Sequence, residues 1–199
     1  KTYSTIQAAA TAMTAGDTIL VYSGAYNETT ILTITKSATI IGVGFVKIKA
    51  TGGFQDVLFQ TASSTNSIKG VMFNGGTVTS RLVQFDGCSL VIDRCYFDYS
   101  KVGVYQATNT VGKTATVKNC AFKLTSAATP SIGVLIGGTG FTTTIRDNKF
   151  NSVSTSLLTN SNAFIHLQSQ VAPIVDNNLT VDITPTQFTH INLVSASGF

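Results

Sequence analysis

Asp93, Lys118, Arg146 and Asp176 follow one another at intervals of 25 to 30 residues, with Asp147 directly after the arginine. If the chain returns on itself at that interval, acids and bases from successive passes become neighbours. Paired carboxylates could then act as general acid and base. Several converging oxygens could instead hold a divalent cation. The competing expectation is a ladder of alternating sign that avoids stacking like charges and does no chemistry. Asp86 and Asp98 could add ligands from the edge of a pass. The only histidines, His166 and His190, have no carboxylate or nucleophile placed beside them by the sequence. They read as polar positions on a strand.

The interval is real, because two phrases repeat. One is Ile68-Lys-Gly-Val-Met-Phe73, Ile92-Asp-Arg-Cys-Tyr-Phe97, Val117-Lys-Asn-Cys-Ala-Phe122 and Ile145-Arg-Asp-Asn-Lys-Phe150. A weaker copy, Ile40-Ile-Gly-Val-Gly-Phe45, precedes them and a degenerate one, Val175-Asp-Asn-Asn-Leu-Thr180, follows. The second phrase is a short apolar strand: Val57-Leu-Phe59, Val83-Gln-Phe85, Val104-Tyr-Gln106, Val134-Leu-Ile136, Ile165-His-Leu167 and Ile191-Asn-Leu193. Within each phrase apolar and polar residues alternate at period two, the pattern of a strand with one buried face. Units this small cannot bury their own apolar face, so they must stack into a solenoid. The fold expected is all-β: a parallel β-helix of about seven turns, about 35 Å long at the strand spacing. Residues 1–199 form one domain, with 1–16 as an N-terminal cap and 17–199 as solenoid turns.

Stacking places like on like. Phe45, Phe73, Phe97, Phe122 and Phe150 are expected to form an internal aromatic column. Cys95, Cys120, Asn148 and Asn178 should form a second column at a corner, where stacked amides bond along the column. The two cysteines then serve as small fillers, with a disulfide or a reactive pair as alternatives. The outward positions after the first apolar residue are Lys69, Asp93, Lys118, Arg146 and Asp176, followed by Gly70, Arg94, Asn119, Asp147 and Asn177. This register sets Asp93 beside Lys118, and Arg146 beside Asp176. The stretch from Thr5 to Met13 is the one expected helix, with Ser4 as its N-cap and Gly16 as its stop.

Composition agrees and excludes other classes. Charged residues are 11% against the roughly 25% usual in soluble proteins, while Thr, Ser and Asn number 31, 18 and 12. Hydrophobic residues at 43% argue against disorder. No apolar run approaches the ~20 residues of a membrane span. The 13 basic residues are scattered without aromatic interleaving, so nucleic acid is not an expected partner. Three cysteines in no metal-binding spacing suggest neither zinc nor a disulfide framework. The Thr/Ser/Asn-rich, weakly charged surface predicts an extracellular, cell-surface or virion-surface setting. Of two sequons, Asn27 is expected in an exposed turn and open to glycosylation, and Asn178 buried in the corner column. Threonine pairs such as Thr114/Thr116 and Thr142/Thr144 suggest a flat ice-binding rank, but the rank breaks at Ser89/Val91 and Ala172/Ile174, and strand propensity accounts for them.

Tyr3-Ser-Thr-Ile-Gln-Ala-Ala-Ala, Ala15-Gly-Asp-Thr-Ile-Leu-Val, Gly24-Ala-Tyr-Asn-Glu28 and Ile34-Thr-Lys-Ser-Ala-Thr-Ile-Ile-Gly42 resemble the opening of right-handed parallel β-helix proteins of the pectin lyase-like superfamily. The resemblance implies that fold across nearly the whole chain. Its members include polysaccharide lyases, esterases and hydrolases as well as tailspikes, adhesins and proteins without catalysis. In the lyases acids hold calcium against the sugar and an Arg or Lys is the base, so calcium is a cofactor only under that alternative. Gly24-Ala-Tyr-Asn-Glu28 and Gly53-Phe-Gln-Asp-Val-Leu58 are similar to pectin methylesterase motifs, but the later aspartate, arginine and tryptophan segments are absent and the chain has no Trp. Residues 189–199 run out in a strand phrase without a capping helix. An open end predicts self-association, end-to-end or as a trimer. The expected function is therefore a non-catalytic structural or surface rod, the alternative a polysaccharide-acting or polysaccharide-binding protein.

Overall fold

The computed structural model describes residues 1–51, 55–61, 65–75, 79–99, 101–106, 108–124, 132–152, 163–168, 171–182 and 189–194. One helix, α1 (Ile6–Ala12), opens the chain, followed by β1 (Thr18–Glu28), β2 (Leu32–Ile34), β3 (Ala38–Ala50), β4 (Gln55–Thr61), β5 (Thr65–Lys69) and β6 (Met72–Asn74). Then come β7 (Thr79–Phe85), β8 (Ser89–Asp93), β9 (Tyr96–Tyr99), β10 (Val102–Gln106), β11 (Thr114–Lys118) and β12 (Ala121–Leu124). The chain continues through β13 (Ile132–Ile136), β14 (Thr142–Arg146), β15 (Lys149–Ser152), β16 (Ala163–Gln168), β17 (Val171–Asp176), β18 (Leu179–Asp182) and β19 (Thr189–Val194).

Every strand pairs in parallel with its equivalent about 25 residues away, the definition of a parallel β-solenoid. A seven-stranded sheet stacks β19-β16-β13-β10-β7-β4-β2. A twelve-stranded sheet holds the other two stacks, β17-β14-β11-β8-β5 and β6-β9-β12-β15-β18, joined through the long β3, with β1 beside it. Complete turns are fewer than the seven expected: among the described residues, β1 contributes only to the larger sheet and β19 only to the smaller.

The interior is built from columns. Ile68, Ile92, Val117, Ile145 and Val175 are in register, the first four fully buried. Phe73, Phe97, Phe122 and Phe150 stack with ring centroids 5.4, 4.6 and 4.7 Å apart and nearly parallel planes. Room for these rings comes from the smaller sheet: a Cβ on Gly103 would lie 3.1 Å from the Phe122 ring, and one on Gly133 2.8 Å from that of Phe150.

Phe45 does not join the column. It is 68% exposed, and Ile48 pairs with Phe73 in its place. Ile40 and Ile41 are in register with Ile68 and Lys69, so three extra residues, Val43, Gly44 and Phe45, are looped out before Val46 resumes the frame. β1 answers this bulge with a register shift between Tyr22 and Gly24. The second phrase also needs one correction: Phe59, not Val57, is opposite Val83. A slip of two residues keeps the same side chains inward, so alternation cannot detect it.

At the N-terminus the cap is Thr5, whose side chain accepts from the Ala8 amide at 3.1 Å, rather than Ser4. The helix closes at Met13, and Gly16 takes its positive φ of 93° only three residues later. Ile6, Ala10 and Met13 are buried and join the core cluster. The helix also touches β2, where the Gln7 side-chain amide donates to the Thr33 carbonyl at 3.2 Å and accepts from the Thr33 N–H at 2.9 Å.

Candidate functional site

The outward charged residues line one edge of the stack β5, β8, β11, β14 and β17. Lys69, Asp93, Lys118, Arg146 and Asp176 are in direct register. The next residue turns the corner in the left-handed region: Gly70, Arg94, Asn119, Asp147 and Asn177 have φ between 51° and 65°. Glycine, Asn and Asp tolerate that conformation, which explains their recurrence here. The amides of Gly70, Arg94, Asn119 and Asp147 each donate to the carbonyl of the next rung, as Arg94 does to Lys118 at 3.2 Å and Asp147 to Asp176 at 3.3 Å.

This register makes the acids part of a ladder. Asp93 accepts from the Asn119 side-chain amide at 2.9 Å and lies 3.7 Å from the Arg94 guanidinium. Asp147 lies 3.8 Å from the Arg146 guanidinium and accepts from Asn177 at 2.5 Å. Asp93 and Asp176 are three rungs apart, about 14 Å at the strand spacing. A glycosidase pair needs its carboxyls roughly 5 to 9.5 Å apart. Asp86 accepts from Gln84 at 2.6 Å and Asp98 from Asn74 at 2.7 Å, so each is held outside the column. Among the described residues no three His, Cys, Asp or Glu side chains converge as metal ligands.

The neighbouring inward corner holds Cys95, Cys120, Asn148 and Asn178. Asn178 accepts from the Asn148 amide N–H at 3.1 Å and from its side chain at 2.9 Å. Asn148 in turn accepts from the Cys120 amide at 2.9 Å and donates to Val117 at 3.0 Å. Asn178 donates to Ile145 at 2.9 Å. In the thiol half the Cys95 amide points to the Cys120 sulfur at 3.4 Å. All three cysteines are free and buried. Burial pushes the Cys120 thiol far up and that of Cys88 to about 11. Both therefore stay protonated and poor nucleophiles.

Asn27 lies on strand β1 opposite Lys49, exposed, rather than in a turn. Glu28, half-buried at the end of β1, has its carboxyl pushed up by burial. His166 is half-buried and in register with Asn192, and its imidazole is pushed down by burial. The backbone of His190 lies one residue before Ile191, which pairs with Ile165; its side chain is outside the described residues.

Three surface clusters had no counterpart in the sequence reading. The looped-out Phe45 borders a shallow groove of about 310 Å³ with Met72, Tyr96 and Arg94. A larger groove of about 550 Å³ lies between α1 and β1, lined by Tyr3, Leu20, Tyr22 and Tyr26 among others. The exposed Tyr22 and Val43 are in register beside Phe45. On the smaller sheet the Arg81 guanidinium sits 4.2 Å above the Tyr105 ring and donates to Gln84 at 2.8 Å. Repeats located the flat parts of the coil and missed these, because the Phe45 corner is made by a break in the repeat. Comparison with protein families, with curated proteins and with solved structures finds no match to this chain.

Proposed function

We propose that this chain is a non-catalytic extracellular structural rod: a self-associating filament, spike or adhesin-like module with the right-handed coil of the pectin lyase-like superfamily. The observation that carries the reading is that Asp93 and Asp147 each accept a hydrogen bond from an Asn side chain of the next rung. Acids spent on tying neighbouring rungs together stabilise a coil rather than cleave a sugar. The Thr, Ser and Asn surface supports an extracellular setting.

The test is light scattering with electron microscopy of the purified protein, alongside turnover and affinity electrophoresis on neutral and acidic polysaccharides with and without calcium. The expected result is assembly without turnover. Monomers at every concentration, or turnover lost in Asp93→Asn and Asp176→Asn, overturn it.

A second reading, polysaccharide binding, is favoured by the Phe45 corner. Exposed rings beside an arginine are the chemistry that holds a sugar face and an acidic sugar group. Retarded migration in a polysaccharide gel, relieved by Phe45→Ala, would establish it.

A further inference from the structure

The outward face of β5, β8, β11, β14 and β17 reads nearly the same in both directions. Its edge column runs Lys69, Asp93, Lys118, Arg146, Asp176. Reversed about β11, it sets Lys69 against Asp176 and Asp93 against Arg146. The corner column, Gly70, Arg94, Asn119, Asp147 and Asn177, reverses in the same way: Arg94 meets Asp147 and Asn119 meets itself. The middle rank of the face is flat, with Ser67, Val91, Thr116 and Thr144 half-buried and Ile174 exposed at its end.

From this geometry we propose that the face docks a second copy of the same chain, the two rods lying antiparallel about a two-fold axis through β11. A two-fold axis along the strand direction preserves each column and reverses its rungs, which is the operation the charges satisfy. Shape bounds the register on one side, where the Val43-Gly44-Phe45 bulge rises one rung before β5. The charge-bearing rungs run from β5 to β17, and their centre is β11. Each unlike pair then occurs twice, and the one like-charged meeting, Lys118 with its own copy, involves two long side chains that can splay apart.

Five rungs by a five-residue strand make a face of about 24 by 17 Å. That is about half the 800 Å² per partner of a standard interface. The association is therefore weak and carried largely by charge, with a strong dependence on salt. It is independent of end-to-end stacking, in which Lys69 lies well inside the rod.

Lys69 and Asp176 sit four rungs apart, about 19 Å, and do not interact within one rod. Sedimentation of the wild type, Lys69→Glu, Asp176→Lys and the double variant, from 10 µM to about 1 mM in low and high salt, tests the dimer; circular dichroism checks that each variant is folded. The wild type should dimerise in low salt and dissociate in high salt. Either single reversal should weaken the dimer about tenfold or more, and the double reversal should restore it. Thr116→Cys, on the axis, should form a disulfide-linked dimer on oxidation, whereas Thr144→Cys, which faces Val91, should not. Monomers throughout, no rescue in the double variant, or polymers indifferent to Lys69→Glu would overturn the proposal.

Discussion

One side-chain oxygen of Asn178 accepts two hydrogen bonds from Asn148, from its backbone at 3.1 Å and from its amide group at 2.9 Å. The same contact recurs one rung earlier between Asn148 and the backbone of Cys120. A buried amide at this corner thus closes its own rung and the next.

Removing that amide leaves the Cys120 N–H buried without its acceptor and takes one donor from the Val117 carbonyl. We predict that Asn148→Ala destabilises the rod by about 1–3 kcal/mol. Cys120→Asn should do the opposite and gain up to about 1 kcal/mol, because Ile92 offers the carbonyl that Val117 and Ile145 offer elsewhere in the column. Urea denaturation measures both.

The aromatic column and the bulge give contrasting outcomes. Phe122→Ala, between rings at 4.6 and 4.7 Å, should cost about 3–5 kcal/mol. Phe45→Ala should change stability by no more than about 0.5 kcal/mol. Gly133→Ala pushes a methyl to 2.6 Å from the Phe164 carbonyl oxygen and should cost about 1–3 kcal/mol. Equal losses at Phe45 and Phe122 in the same denaturation series would show that the register is wrong.

Arg94 is the one corner residue without the shape for its φ of 53°. Its link to Asp93 is long and its own side chain is 70% exposed, and such pairs contribute little. Arg94→Asn should therefore raise stability by about 0.5–1 kcal/mol by relieving left-handed strain. A melting temperature at or below wild type would count against that strain.

Stability should decline at both ends of the pH range. His166 is pushed below its ordinary value by burial, so the unfolded chain takes up the proton first and stability is lost as pH falls below about 6.5. Cys88 is raised from 9.0 to about 11, so the unfolded chain gives up its proton first and stability is lost as pH rises through that window. Melting temperatures across pH should flatten on the acid side in His166→Gln and on the alkaline side in Cys88→Ala.

In a glycosylating host the two sequons should differ. Asn27 is exposed on β1, whereas the Asn178 amide is bound to Ile145 and Asn148. Mass spectrometry after expression should find a glycan on Asn27 alone. Occupancy at Asn178 would mean that the corner column opens during folding.

The coil was legible because its columns are written in residue types that a period of about 25 makes adjacent. Ile68, Ile92, Val117 and Ile145 needed nothing more than their spacing. Phe45 misled because the motif Ile-x-Gly-x-x-Phe is satisfied by a segment with three inserted residues; the surviving alternation Val46-Lys47-Ile48 was the better guide. Val57 misled because a two-residue slip preserves the inward pattern. Ser4 and Thr5 are both good caps, and only geometry chose Thr5. The charged column was visible as spacing, but the holding of Asp93 by Asn119, one rung on, depended on which way the corner turns.

The corner column also changes material halfway along the rod. Between the rungs of Asn148 and Asn178 it is clasped by amides, whereas between those of Cys95 and Cys120 the clasp is an N–H lying 3.4 Å from sulfur. Neutral sulfur is a weaker acceptor than an amide oxygen. A load drawn along the axis meets its softest corner joint there, so the coil has a tougher half and a half that yields first, with the seam at the thiols.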